Sequence, residues 1–143
     1  MNGAQHYHGK RDKIVLYMHA GSGNHGCEAI VNTVIRMLPR PAIVMTNSLA
    51  EDEAYSLKGM GALKEERKVR KNLFVHIWYY LMEHIFHDPE AALRYRFREV
   101  CGRNLRQMNL SIGGDNYCYE ELVKELKYAN RLFTGQGAMT VLL

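Results

Sequence analysis

The chain has 143 residues, 47% hydrophobic and 24% charged with a formal net charge of +4, which excludes a disordered polymer and fits one globular domain with a real core. No run reaches the ~20 apolar residues of a membrane span, and the longest, Leu73 to Phe86, is interrupted by His76, Glu83 and His84. Cys27, Cys101 and Cys118 are odd in number and widely spaced, and no secretory signal is visible at the start; both point to reduced thiols in a cytoplasm rather than to a disulfide framework or a paired-cysteine zinc site.

Residues 1–12 are polar and read as a flexible arm, leaving 13–143 as the folded domain. Ile14–Met18 is continuously apolar, the pattern of a strand buried on both faces. A glycine-rich turn, Gly21-Ser22-Gly23-Asn24-His25-Gly26, follows it and opens a helix running to Leu38. That helix carries Cys27, Ile30, Val31, Val34, Ile35 and Leu38 on one stripe, and Pro39 and Pro41 stop it. Ala42–Thr46 is a second buried strand, followed by the loop Thr46-Asn47-Ser48. Ser48 with Glu51 reads as a capping box for a short helix towards Leu57.

Gly59-Met60-Gly61 breaks the chain before a basic segment. Apolar residues at helical spacing from Val69 to Phe86 predict a long helix with a wide apolar face, expected to pack on the sheet with Trp78, Tyr79 and Tyr80 in the core. Asp88-Pro89 predicts the start of another helix, ending near Cys101 at Gly102. Met108–Ile112 is a third buried strand and ends in Gly113-Gly114-Asp115-Asn116. Tyr119 to Arg131 predicts an amphipathic helix with Tyr119, Leu122, Val123 and Leu126 on its apolar side, closed by Gly135 and Gly137. Thr140–Leu143 begins a further strand.

Apolar strands alternating with helices define an α/β fold, a Rossmann-like open parallel sheet flanked by helices. In such sheets the loops leaving the C-terminal strand ends build the ligand crevice. The final strand stops at the last residue with no such loop, so the domain is expected to be truncated before a second one.

The turn after the first strand matches Gly21-x-Gly23-x-x-Gly26, and amides at such a turn, with the helix dipole behind them, are expected to point outward as a seat for an anion or a sugar-like polar ligand. Two details argue against a nicotinamide site: His19 and Ala20 lengthen the turn, and Thr46, Asn47 and Ser48 stand where a ribose-binding acid belongs. Cys27 falls on the buried stripe and reads as a core thiol. His84-x-x-His87 and His6-x-His8 lack a third ligand, so no metal is expected. Six basic and two acidic residues lie between Lys58 and Lys71, and five arginines and one glutamate between Arg94 and Arg106; no nucleic-acid signature accompanies them, and solvated faces are the simplest account.

Gly23-Asn24-His25-Gly26-Cys27-Glu28-Ala29-Ile30 resembles the Gly-Asn-x-Gly-Asp-Glu-Ala motif near the start of the polysaccharide pyruvyl transferase family, and Gly113-Gly114-Asp115-Asn116 is similar to that family's second glycine-rich turn. The strand ending in Thr46-Asn47 fits between them. Cys27 stands where the family more often has aspartate. The resemblance implies the N-terminal half of a two-domain fold like the GT-B glycosyltransferases, with the site in the cleft between the halves. It implies transfer of pyruvate from phosphoenolpyruvate, as donor substrate and with no further cofactor, onto hydroxyls of a carbohydrate acceptor, a cell-surface polymer or its lipid-linked precursor, as a ketal. The cationic groups that hold the donor would lie largely in the second half.

Glu28, His25 and Asp115 are then the candidate catalytic groups, and Gly23, Asn24, Gly26, Asn47, Gly113, Gly114 and Asn116 the candidate substrate-binding residues. The helix dipole favours the charged form of Glu28, which suits a base or a hydroxyl-binding carboxylate, and equally a carboxylate that only complements the helix end. Asp115 reads as a cap of the following helix or a sugar ligand, and Asn24 as the side chain that holds the turn. Residues 64–86 are a candidate for peripheral contact with an anionic membrane, which would place the protein at the inner membrane surface. The alternative is a non-catalytic or truncated Rossmann-like domain that binds a sugar or nucleotide; a nicotinamide enzyme ranks third.

Overall fold

Five short apolar or edge strands and the helices between them set the architecture, in a computed structural model that describes residues 13–55, 57, 61–68, 72–103, 106–113 and 118–142. In chain order the elements are β1 (Lys13–His19), α1 (His25–Met37), β2 (Ala42–Thr46), α2 (Leu49–Ala54), β3 (Ala62–Glu65), α3 (Leu73–His84), α4 (Ala91–Arg96), β4 (Gln107–Ser111), α5 (Glu120–Gly135) and β5 (Met139–Leu142). All strand pairs are parallel and the sheet order is β3-β2-β1-β4-β5, a Rossmann-like arrangement with helices as crossovers.

The central strands are buried on both faces because each face has its own helices. Ile14, Leu16, Val44, Leu110 and Ile112 pack towards Val31 of α1, with Ile30, Val34, Ile35 and Leu38 completing the predicted stripe. On the other face Val15, Tyr17 and Met45 meet Leu93 and Phe97 near α4, and Leu126, Ala129, Leu132 and Phe133 of α5. Tyr17 sits edge-on to Phe133 at 5.2 Å and to Phe97 at 6.2 Å, the offset geometry that aromatic quadrupoles favour.

Several elements depart from the sequence expectation. β3 lies within a stretch read only as a basic segment; Ala-Leu-Lys-Glu has no strand pattern, and pairing to β2 imposes the conformation. The predicted 89–101 helix is regular only over Ala91–Arg96 and ends in turns. Tyr119 caps α5 from an exposed position instead of joining its buried face. Trp78 and Tyr80 are exposed, not core, and the 69–71 part of the long helix lies outside the described residues.

Candidate functional site

The strand order reverses between β1 and β4, so the C-terminal ends of these two neighbours lie side by side. The Ile112 amide donates to the Tyr17 carbonyl at 3.1 Å, which keeps the chain beyond β4 against β1. Gly113 is buried there. Gly114, Asp115 and Asn116 lie outside the described residues.

β1 ends irregularly. Pairing with β2 runs in register to Leu16–Val44 and then shifts, so that His19 sits opposite Thr46 with one extra residue on β1. Met18, at φ +62, lies in this bulge. Regular alternation would turn Met18 towards α1 and His19 towards α5; the bulge reverses both. Met18 joins the Tyr17 side of the core. His19 is fully buried and faces α2, with Nε2 3.2 Å from Asp52 Oδ1.

Asp52 is the hub of the turn. It is fully buried, and its Oδ1 also accepts the Ser22 amide at 2.9 Å. Burial acts to raise its pKa, but the Thr46 and Ser22 hydroxyls beside it, attraction to His19 and the Ser22 amide outweigh that and hold the carboxyl below its ordinary value. One residue earlier, Glu51 accepts the Gly23 amide. A Cβ on Gly21, itself at φ +105, would lie 2.8 Å from Glu51 Oε1, and one on Gly23 would lie 2.7 Å from it. These glycines therefore let the carboxylate approach the backbone.

The expectation of outward, unpaired amides is corrected here. Ser22 and Gly23 donate to Asp52 and Glu51, while Asn24, read from the sequence as the side chain that holds the turn, is the N-cap of α1, its Oδ1 accepting from Gly26 at 3.0 Å and Cys27 at 3.4 Å. The positive potential of a glycine turn at a helix start has drawn in the protein's own acids. The expected Ser48 capping box is absent for the same reason: Ser48 makes no side-chain cap bond, and Glu51 reaches across to Gly23 instead.

Two candidate catalytic groups do meet on the first turn of α1. His25 Nδ1 is 3.4 Å from Glu28 Oε2, with the His25 side chain 80% exposed and Glu28 25% exposed. The His25 ring stands edge-on to Tyr55 at 5.9 Å. Asn47 Nδ2 donates to the His19 carbonyl at 3.4 Å, bracing the end of β1. Neither 19–28 nor 46–55 contains a lysine or arginine, so apart from the buried His19 and the exposed His25 the charged side chains of these two segments are all acidic. Among the described residues no group of three or more His, Cys, Asp or Glu side chains is arranged to hold a metal ion.

The sequence reading missed His19, Asp52 and Glu51. The acidic run Glu51-Asp52-Glu53, placed just beyond the second strand, was the available signal. Compared with protein-family models, curated proteins and solved structures, the chain matches none of them.

Proposed function

We propose that this domain is the acceptor-binding half of a polysaccharide pyruvyl transferase-like enzyme, within a two-domain arrangement like that of the GT-B glycosyltransferases. The observation that carries the reading is the His25–Glu28 pair, exposed at the strand-order reversal and 3.4 Å apart. A carboxylate beside one imidazole nitrogen orients the ring and leaves its other nitrogen to take a proton from a sugar hydroxyl. Tyr55 offers an aromatic edge at the same rim. The segments 19–28 and 46–55, acidic and free of lysine and arginine, suit a neutral polyol and repel the phosphate of phosphoenolpyruvate, which is then held by groups elsewhere in the protein.

In this reaction one sugar hydroxyl adds to C2 of the enol as C3 takes a proton and becomes a methyl group. Phosphate then leaves with the C–O electron pair, and a second hydroxyl closes the ketal. Two hydroxyl protons are lost, one balanced by the proton gained at C3 and the other passing to phosphate or solvent. His25 is the group placed to accept one of them.

The same rim also supports a second reading, a sugar-binding domain without turnover, because four of its turn amides, those of Ser22, Gly23, Gly26 and Cys27, are satisfied internally. A dinucleotide is disfavoured by that same observation, since Asp52 and Glu51 already take the Ser22 and Gly23 amides that a pyrophosphate would need. Incubating the full-length protein with phosphoenolpyruvate and candidate glycans, then reading pyruvyl ketals by mass spectrometry and phosphate release, separates the two. Turnover is expected, with Glu28→Gln and His25→Ala each lowering it about 100-fold or more at unchanged thermal midpoint. Unchanged kinetics in both variants, or glycan binding without any ketal, would overturn the catalytic reading.

A further inference from the structure

Beyond the C-terminal end of β3 lies a cleft of about 350 Å³, lined by Glu65, Glu66, Arg67, Lys68 and Tyr95, none of which belongs to the turn after β1. The Glu66 amide donates to the Thr46 carbonyl at 2.8 Å, which fixes the segment leaving β3 against the end of β2. The cleft therefore stands at the C-terminal end of the parallel sheet, on the side of α4, and open α/β sheets take their ligands at that end.

Its charges are spent on each other. Glu66 is 4% exposed, and its Oε2 accepts from Arg96 Nε at 3.1 Å and Nη2 at 2.6 Å, while Arg96 Nη1 donates to Glu125. Arg67 Nη2 donates to Glu99 at 3.1 Å, and Lys68 Nζ lies 3.8 Å from Glu65. Two acids and two bases in the lining thus cancel, and each of these cations has an acid beside it, so the cleft favours neither phosphate nor an organic cation. One acceptor stays open: Glu66 Oε1 is buried without a hydrogen-bond partner. A buried carboxylate oxygen in that state requires a donor that the described residues do not supply.

Tyr95 supplies an apolar wall, and it also lines a hollow of about 250 Å³ with Phe74, Val75 and Trp78. The Tyr95 and Trp78 rings are 6.5 Å apart and inclined at 51°, so they do not form the parallel slot that sandwiches a nucleobase. We propose that this cleft binds a neutral oligosaccharide, one sugar ring packed against Tyr95 with a hydroxyl donating to Glu66 Oε1, and the next ring reaching Trp78. Sugar rings combine apolar C–H faces with hydroxyl donors and carry no charge, which matches the aromatic wall, the open acceptor and the balanced lining. The inference stands apart from pyruvyl transfer, because its test needs no turnover.

The experiment titrates the full-length protein with neutral mono- to tetrasaccharides of glucose, galactose, mannose and N-acetylglucosamine, read by calorimetry and by the emission of Trp78, the single tryptophan of the chain. Uridine, adenosine, choline and inorganic phosphate are titrated alongside. Saturable binding of an oligosaccharide is expected, unchanged as salt is raised because no net charge is recognised. Glu66→Gln and Tyr95→Leu, which keep the side-chain bulk, are each expected to weaken it about tenfold. Where a variant melts early, amide hydrogen exchange of the parent decides: the bound oligosaccharide is expected to protect 65–68 and 93–96. No saturable binding by any of these sugars, tighter binding of a nucleoside, choline or phosphate, or protection confined to 19–28 and 46–55 would overturn the proposal. So would unchanged affinity in both folded variants. Absence of ketal formation bears on the catalytic reading alone.

Discussion

Removing the Asp52 carboxylate is the sharpest test of how the turn after β1 is held. Asp52→Ala takes away the acceptor shared by the Ser22 amide at 2.9 Å and His19 Nε2 at 3.2 Å, and both Ser22 and His19 are fully buried. A buried donor left without its partner costs about 1–3 kcal/mol, and Asp52→Ala leaves two, the Ser22 amide and the His19 ring nitrogen, so that about 3–5 kcal/mol is the middle of the summed range. Taking about 3–5 kcal/mol for the whole change, and about 3–4 °C per kcal/mol for a chain of this size, Tm should fall by roughly 9–20 °C. Circular dichroism melts and urea titration measure both quantities. The pH dependence gives an independent check on the charge. The Asp52 pKa is lowered in the folded state, so its contribution is complete above the unfolded carboxylate value near 3.8 and fades as pH falls through the lower folded value. The stability gap between the parent and Asp52→Asn should therefore be constant from pH 7 to 5 and narrow below about pH 4. A double-mutant cycle with His19→Phe should show a coupling of about 0.5–3 kcal/mol. A loss under 1 kcal/mol for Asp52→Ala, or a gap that does not change below pH 4, would refute this account.

The two glycines beside Glu51 should respond differently to alanine. At Gly21 the φ of +105 is strained for any L side chain, so Gly21→Ala should cost at least about 1–2 kcal/mol, whereas Gly23→Ala meets only the movable end of Glu51 and should cost under about 1 kcal/mol; equal losses in thermal melts would count against the backbone-strain argument at Gly21. Asn24→Ala frees the Gly26 and Cys27 amides and should cost about 1 kcal/mol in urea unfolding, the usual value of a side-chain N-cap.

Most of the sheet was legible because its central strands are buried on both faces and so read as unbroken apolar runs. β2 is Ala42–Thr46 in sequence and structure alike, and β1 and β4 differ from their predicted spans by a residue or two. Edge strand β3 was not legible: half-exposed Ala-Leu-Lys-Glu takes its conformation from Ile43–Thr46 next door, information that no local pattern contains. α3 shows the reverse failure. Its periodicity correctly forecast a helix with an apolar face, but periodicity gives the direction of a stripe relative to the helix axis and not relative to the sheet. For α1 the two coincide; for α3 the stripe faces away.

The candidate site was legible in position and partly illegible in chemistry, for a single physical reason. A glycine turn at a helix start concentrates amide donors and positive potential whatever the chain's function, and the sequence marks that potential clearly. What fills it depends on elements distant along the chain. Here Glu51 and Asp52, about 30 residues beyond the turn, reach it, and the bulge at Met18 turns His19 towards α2 as a second partner for Asp52. Two acids inside the turn then reverse its selectivity. A bare turn would attract phosphate; in this one Asp52 and Glu51 take two of the amides, and the proposed catalytic pair His25 and Glu28 stands beside it on the first turn of α1. The anion seat read from the glycines is thus structural.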